Sequence, residues 1–419
     1  MQDWNFSPPP PSELGDHEVL LAGEHLKGKR IALLLTGSIA SIKIPEIARA
    51  LRSEGADVVA FASREALRYT TIDALEWCTT NSVITKLTAA AEHLSDNSPF
   101  DAYLVAPATY NTINKISCGI ADGVVTTSVA SAIGRMEQGQ TKVLVVPTMH
   151  GSLHNSILTE SLRKLQAMGI RIVPPRQAYG KHNLPDARKI VAEVCRVVSV
   201  STLQEVPILI TAGPTPVKID NVRRITNRFT GRLGSKIAEE LYLRGATVQL
   251  IHGEGTYQPP DYLPCKIAKT YDEYLALVME ELTHKKYIFG IFSAAVADYK
   301  PETVVPGKIP SGGALKTINL VPTIKVIDQV QTNFPKLYML TFKYQEAVSH
   351  ETLMKIASDR LNRGYQSVVV NRGEETGFNG EQVAYLVTSG GKTSKMVGKT
   401  QIAIGIVEHL ESQYQFSNG

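Results

Sequence analysis

Two doubly wound α/β domains with mainly parallel sheets are the fold class that the sequence predicts. Three observations carry it. Residues 31–35 (IALLL) and 207–210 (PILI) are short apolar runs of the kind that a parallel strand buried on both faces requires. Each run enters a small-residue turn, Thr36-Gly37-Ser38 in one half and Ala212-Gly213-Pro214-Thr215 in the other, and then a helical period. The echo between ARALRSEGADVVAF and AEELYLRGATVQLI repeats one strand–turn–helix–glycine–strand grammar in both halves.

In chain order, residues 1–28 read as a flexible tail, because Pro8, Pro9, Pro10 and Pro11 cannot join a helix or a central strand. The first strand is followed by a helix to about Ser53, then Gly55 and a strand over 58–61. Buried strands follow at 102–106 and 142–146, and a helix over 186–197 closes the first domain, 29–199. The polar stretch 200–206 reads as a linker. In the second domain, 207–419, a helix over 233–243 ends at Gly245, and strands follow at 248–251, 287–292, 337–342 and 367–370. In open parallel sheets ligands bind at the carboxyl ends of the strands, so the loops there are the place to look for chemistry.

Length agrees with this division, since 419 residues exceed one ordinary core. Hydrophobic residues at 43% and charged residues at 20% are ordinary globular composition. A net charge of +4 from scattered lysines and arginines implies neither nucleic acid nor an anionic membrane as partner. Cys78, Cys118, Cys195 and Cys265 form no C-x-x-C pair and no zinc-ligand spacing, so no protein metal site is expected and the thiols read as free in a reducing compartment. The start, MQDWNFSPPPPSEL, lacks the basic and apolar regions of a signal peptide, and no apolar run reaches membrane-spanning length. A cytoplasmic protein is expected.

The first domain's turn, TGSIAS at a helix start, offers free backbone N–H groups to a phosphate, with an ordinary capped helix as the alternative. It is not G-x-G-x-x-G, and the second strand ends in Ser63 and Arg64 where a dinucleotide fold would want an acid. FMN fits better than NAD, which makes an NAD-dependent dehydrogenase a poor reading. Around it stand His93, the loop Pro107-Ala108-Thr109-Tyr110-Asn111-Thr112, and Pro147-Thr148-Met149-His150. Together, over about residues 29–195, these resemble the flavin-containing cysteine decarboxylases, which have a flavodoxin-like domain. The resemblance implies that Gly37, Ser38, Ile39, Ser63, Pro107, Ala108, Thr109 and Asn111 hold FMN, that Met149 meets substrate, and that His93 is the catalytic base. It also implies oxidation of an aminoethyl thiol at the flavin, so that the neighbouring carboxylate leaves. Two positions depart from bacterial members: His150 replaces an asparagine, and Tyr179 stands where a flap cysteine protonates the product. Tyr179, His182 and His150 remain alternatives for that proton.

In the second domain, Gly213, Thr215, Thr230, Gly231 and Gly234 supply small residues around a helix start, a cradle for a triphosphate. Arg223, Arg224, Arg228 and Arg232 bring cations to the same stretch. The segment TAGPTPVKIDNVRRITNRFTGRLG then resembles the phosphopantothenate–cysteine ligase signature, and the likeness continues through Ser293, Ala294, Asp298, Lys308, Phe342, Lys343 and Asn371. Both halves in this order resemble the bifunctional phosphopantothenoylcysteine decarboxylase/phosphopantothenate–cysteine ligase family, in its archaeal-type versions, whose second domain is Rossmann-like. The resemblance implies ligation of 4'-phosphopantothenate to cysteine through an acyl nucleotide, with CTP or ATP and Mg2+, followed by decarboxylation to 4'-phosphopantetheine. It assigns Asn227 and Lys308 to catalysis, Arg223 to substrate, and Ser293, Ala294, Asp298, Phe342, Lys343, Arg360 and Arg363 to the nucleotide. It further implies a homo-oligomer, a dodecamer built from trimers and dimers. Two other readings stand beside it: a ligase with a non-catalytic flavin domain, and a regulatory flavin-binding protein, against which the intact ligase half argues.

Overall fold

The structure, a computed structural model, describes residues 6–94, 98–312 and 316–418. It divides into two compact units, with the division between Val198 and Ser199.

The first unit runs β1 (Arg30–Leu35), α1 (Ile44–Ser53), β2 (Asp57–Ala62), α2 (Ile72–Thr79), β3 (Ala102–Ala108), α3 (Tyr110–Ser117), α4 (Val124–Glu137) and β4 (Lys142–Pro147). It continues with β5 (Met149–His150), α5 (Ser156–Ala167), β6 (Arg171–Ile172), β7 (Arg176–Ala178), β8 (Lys181–Asn183) and α6 (Ala187–Val198). Five strands form one parallel sheet in the order β2-β1-β3-β4-β6. This is the flavodoxin-like winding, with its switch point between β1 and β3. Every residue of β3 is buried, as a strand covered by helices on both faces must be. On α1, Ile44, Ile47, Ala48 and Leu51 recur at helical spacing and turn into the core. The helix expected directly after the first turn is split. A 3-10 turn, Ile39–Lys43, precedes α1, because Pro45 in the first turn of α1 has no N–H to bond backwards.

The expected tail ends earlier than Lys29, and residues 1–5 of it lie outside the described residues. Leu26 is fully buried, and the amides of Ala22 and Leu26 donate to Ser53 and Glu54 carbonyls at 2.8 Å each. The last turn of α1 leaves carbonyls without intrahelical partners, and this stretch supplies them. His25 Nδ1 adds a 2.7 Å contact to the Glu54 carboxylate.

A small antiparallel sheet, β5-β8-β7, forms a flap beside the carboxyl end of β4. Tyr179 and Gly180, both at positive φ, make the two-residue loop between β7 and β8, the conformation that a tight hairpin demands. His182 on β8 lies opposite Met149 on β5, so their side chains share a face. His182 Nε2 meets His154 Nδ1 at 2.7 Å, and one proton serves both nitrogens.

The second unit runs β9 (Pro207–Ala212), β10 (Val217–Lys218), β11 (Arg224–Ile225), α7 (Arg232–Leu243), β12 (Thr247–Gly253), β13 (Cys265–Ala268), α8 (Tyr271–His284) and β14 (Phe289–Phe292). Then come β15 (Tyr299–Pro301), β16 (Leu320–Pro322), α9 (Val326–Asn333), β17 (Tyr338–Gln345), α10 (His350–Asn362) and β18 (Ser367–Arg372). The chain closes with β19 (Val383–Thr388), β20 (Thr393–Val397) and α11 (Lys399–Asn418). The sheet order is β13-β12-β9-β14-β17-β18-β19-β20. Its first six strands are parallel in the Rossmann order, with the switch between β9 and β14. β19 and β20 are antiparallel additions that the sequence reading did not anticipate. The stretch expected as a linker is folded into this unit: Leu203 and Val206 are buried, and Glu205 N donates to Gly245 O at 3.0 Å. α11 packs along α7, where Arg244 bridges Glu240 and Glu411 at 2.8 Å each.

Two outcomes are expected. Leu26→Ala lowers the stability of the first unit by about 2–5 kcal/mol, the usual cost of emptying a buried leucine site, read as a shifted urea midpoint. The flap loosens in acid. Burial, and then the neighbouring His154, hold His182 below its ordinary value of 6.5. An undocked flap therefore takes up a proton that the docked one resists, so docking is favoured above about pH 6.5 and weakens as the pH falls below it. Hydrogen exchange over 176–183, corrected for intrinsic rates, rises between pH 7.5 and 5.5, and His182→Asn removes that dependence.

Candidate active sites

At the switch point of the first sheet a cavity of about 800 Å³ opens, lined by Thr36, Gly37, Ser38, Ser63, Thr109 and Asn111 among others. Its polar surface is built by local folding. Ser38 ends β1's loop and accepts from Ala40 N, while Thr109 caps α3 by accepting from Thr112 N at 3.3 Å. The Thr36 hydroxyl donates to Pro107 O at 2.6 Å and accepts from Thr109 N at 3.2 Å, tying the loops after β1 and β3 together. The amino ends of α3 and α4 both reach the cavity, the latter through Gly123, Val124 and Val125. Hydroxyls, helix N–H groups and Lys115 form a donor set suited to a phosphate and a heteroaromatic edge, which fits FMN.

Of the residues expected there, Gly37, Ser38, Ser63, Thr109, Asn111 and Met149 line the cavity. Pro107 and Ala108 are fully covered and shape the wall from behind. Ile39 points outward at 64% exposure, because the 3-10 turn rotates it away. His93 is half-buried on the loop before β3, outside the cavity wall, and its enclosed Nδ1 has no hydrogen-bond partner. Tyr179 stands 91% exposed at the hairpin tip. The His150 ring turns to Ser152, at 2.9 Å from the hydroxyl. His182 shares the face of Met149, which lines the cavity, and its Nδ1 is buried without a partner.

The second unit opens a cavity of about 940 Å³ at its own switch point. Its floor is backbone. A Cβ on Gly231 would lie 2.6 Å from Gly213 N and collide with His252, and one on Gly234 would lie 2.6 Å from Ala212 Cβ and collide with Ser293. Glycine is what lets α7 start against β9 and β14. Gly213, Asn227, Thr230, Gly231, Ser293, Ala294, Asp298, Phe342, Lys343, Arg360 and Arg363, all expected, line the cavity. Thr215 does not: it is buried, and its hydroxyl accepts from Ala297 N at 2.8 Å to brace the loop after β14. Asn227 is brought in, but its amide donates to Ala295 O at 2.7 Å.

Charge in this cavity comes from the expected Lys343, Arg360 and Arg363 and from cations that the sequence reading did not name. Only Arg232 of the four motif arginines lines it. Arg224 and Arg228 are paired with Glu254 and Glu346, and Arg223 with the buried Asp220. A buried carboxylate needs a cation, and Arg223 supplies it from outside the cavity wall. Lys308 lies on an exposed loop outside the wall. The cations that do line the cavity include Lys325, Arg372 and Lys399, which sequence reasoning missed, beside Lys343 and Arg360. Lys325 contacts Asp298. Burial, and then the adjacent Arg360, push the Lys343 ammonium below its ordinary value. That environment favours an arriving polyanion. Among the described residues no group of three or more His, Cys, Asp or Glu side chains is placed to hold a metal ion.

Comparison with known proteins finds relatives for both units. The Flavoprotein family matches residues 21–199, and the DNA/pantothenate metabolism flavoprotein C-terminal domain matches residues 203–414. The coenzyme A biosynthesis bifunctional protein CoaBC of Thermococcus kodakarensis is 34% identical over 393 residues, covering 92% of this chain and 96% of that protein. CoaBC of Methanocaldococcus jannaschii is 28% identical over 389 residues, covering 92% and 94%. Among solved structures, the C-terminal domain of a CoaBC protein is 25% identical, with a TM-score of 0.43, and covers 51% of this chain and 97% of its own. The chain belongs to the CoaBC family, the bifunctional proteins of coenzyme A biosynthesis with a decarboxylase half and a ligase half.

Proposed function

We propose that this chain ligates 4'-phosphopantothenate to cysteine with CTP or ATP in its second unit and decarboxylates the product to 4'-phosphopantetheine in its first. The observation that supports both is that each unit opens a crevice at the switch point of its own sheet, with the family's motif residues in the wall.

In the ligase half the backbone floor at Gly213, Gly231 and Gly234 receives the triphosphate, and Lys343, Arg360 and Lys325 neutralise it. The substrate carboxylate attacks the α-phosphorus, pyrophosphate leaves, and the cysteine amine then displaces the nucleotide from the acyl carbon. Lys308 supplies positive charge to the phosphate from its exposed loop, and Asn227 holds the acyl nucleotide through its amide. Asp298 and Phe342 receive the base. Mg2+ enters with the triphosphate, held through phosphate oxygens.

In the decarboxylase half the donor set at Ser38, Ser63, Thr109 and Asn111 holds FMN. When bound, FMN supplies a store for the electron pair whose removal from the thiol end lets carbon dioxide leave. His93 takes the thiol proton, the role of the family's base. His182 is favoured over Tyr179 and His150 as the source of the last proton, because it shares the cavity-side face with Met149. Cys78, Cys118, Cys195 and Cys265, none of them in a disulfide, suit the cytoplasm, and no described helix is long and apolar enough to cross a membrane. Exposed Ile39, Ile42 and Trp77 support a homo-oligomer, up to the family's dodecamer.

Anaerobic incubation with 4'-phosphopantothenate, cysteine, Mg2+ and either CTP or ATP, read by mass spectrometry, tests the proposal. The expected product is 4'-phosphopantetheine, and His93→Asn stops at 4'-phosphopantothenoylcysteine. The dipeptide-like product alone from the unaltered chain would leave the first unit non-catalytic. No product with either nucleotide would overturn the reading.

A further inference from the structure

Asp220 is a carboxylate with no exposed side-chain surface, four hydrogen bonds, and no place in the cavity wall. Its Oδ1 accepts from Val222 N at 2.7 Å and Arg223 N at 2.6 Å. Its Oδ2 accepts from Arg223 Nη1 at 2.5 Å and, across 89 positions of sequence, from Ile309 N at 3.0 Å. Arg223 Nη1 also donates to Ile309 O at 3.1 Å, so the Asp220–Arg223 pair grips Ile309 at both its N–H and its carbonyl. On the other side of Lys308, Asn221 N donates to Gly307 O at 2.9 Å, and Val305 N donates to Ile219 O at 3.0 Å. Lys308 is therefore pinned by the residues on either side of it, while its own side chain stays exposed. The N–H groups of Ile309, Arg223 and Val222 and the Arg223 guanidinium hold the Asp220 carboxyl far below the ordinary carboxylate range, so it stays ionised at any working pH.

We infer that Asp220, acting with Arg223, is a positioning residue for the ligase reaction, a latch that presents Lys308 to the reacting phosphate. The chemical logic is economical in entropy. A lysine on a free loop must be ordered in every turnover, whereas a backbone fixed on both sides leaves only the side-chain rotamers to settle. Charge-assisted bonds to a buried carboxylate are strong enough to hold such a loop, and in Asp220→Asn an amide NH2 in place of Oδ2 cannot accept from Arg223 or Ile309. The inference rests on the ligase reading and on Lys308 acting there.

The test uses the full chain and four variants: Asp220→Asn, Ile309→Pro, Lys308→Ala, and Asp220→Asn with Lys308→Ala. Asp220→Asn is expected to lower kcat for nucleotide-dependent pyrophosphate release roughly 10- to 100-fold, the range lost with charge-assisted bonds, and to leave the nucleotide KM within about threefold. Added to Lys308→Ala, it costs little more, because the latch then has nothing to present. Tryptic cleavage after Lys308, followed by mass spectrometry, accelerates about tenfold or more in Asp220→Asn, because the Lys308–Ile309 peptide is freed. Ile309→Pro, which removes the N–H whose bond Oδ2 accepts and leaves the carboxylate intact, reproduces the kinetic loss and serves as the second readout should Asp220→Asn not fold. Decarboxylation of supplied 4'-phosphopantothenoylcysteine is unchanged throughout. The inference is overturned if Asp220→Asn and Ile309→Pro keep full kcat, if the loss lies in nucleotide KM, or if Asp220→Asn costs the same factor in the Lys308→Ala background. Absence of pyrophosphate release from the unaltered chain would instead sink the ligase reading, and the proteolysis would still report whether the latch exists.

Discussion

A parallel strand buried on both faces has nowhere to present a functional group except beyond its carboxyl end, and both halves of this molecule are arranged by that constraint. β3 has no exposed residue at all, and β1 and β9 each expose only their first residue, in part. Side chains there can do nothing but pack. Where the winding reverses, between β1 and β3 and between β9 and β14, the connections leave in opposite directions and a crevice is left open. The Thr36 hydroxyl, bonded to Pro107 O and Thr109 N, shows how tightly the two sides of one crevice are joined. In the other, Ala295 N donates to Gly213 O at 2.9 Å and does the same work with backbone alone.

The parts that could be read from the sequence were those written locally. Strand cores, the turns after them, the glycines and the motif residues Asn227, Ser293, Asp298 and Lys343 all follow from short patterns, and the parallel parts of both sheets are doubly wound as expected. What could not be read depends on strand order. Lys325, Arg372 and Lys399 reach one cavity because α9, β18 and α11 converge on the carboxyl edge of a sheet, a fact that no window of sequence contains. Leu26 escapes a sequence reading because the stretch from the proline run to Lys29 carries no helical or strand period. Its burial is decided by the carbonyls at the end of α1. Arg223 was read by its charge, and the structure reads it by its neighbour, the buried Asp220.

Electrostatics in the second unit follow a division of labour. Glu254 and Glu346 neutralise the arginines outside the cavity, whereas Lys343 and Arg360 inside it stand close together and partly desolvated. Two cations in that situation raise each other's energy. A polyphosphate removes the penalty for both at once, so the cavity gains more from a multiply charged ligand than from a single carboxylate.

The glycine floor of that cavity sets how this site can change over generations. Because Gly213, Gly231 and Gly234 act through the lack of a side chain, there is no neighbouring residue type to drift towards, and each position is closed to gradual variation. On the proposed reading, preference for one nucleobase over another is then written elsewhere, where Asp298, Lys325, Phe342 and Lys343 line the cavity with side chains that can be exchanged one at a time. With the proposed nucleotide in place, the cavity separates a fixed grammar for phosphate from an editable vocabulary for the base, and the second can change without touching the first.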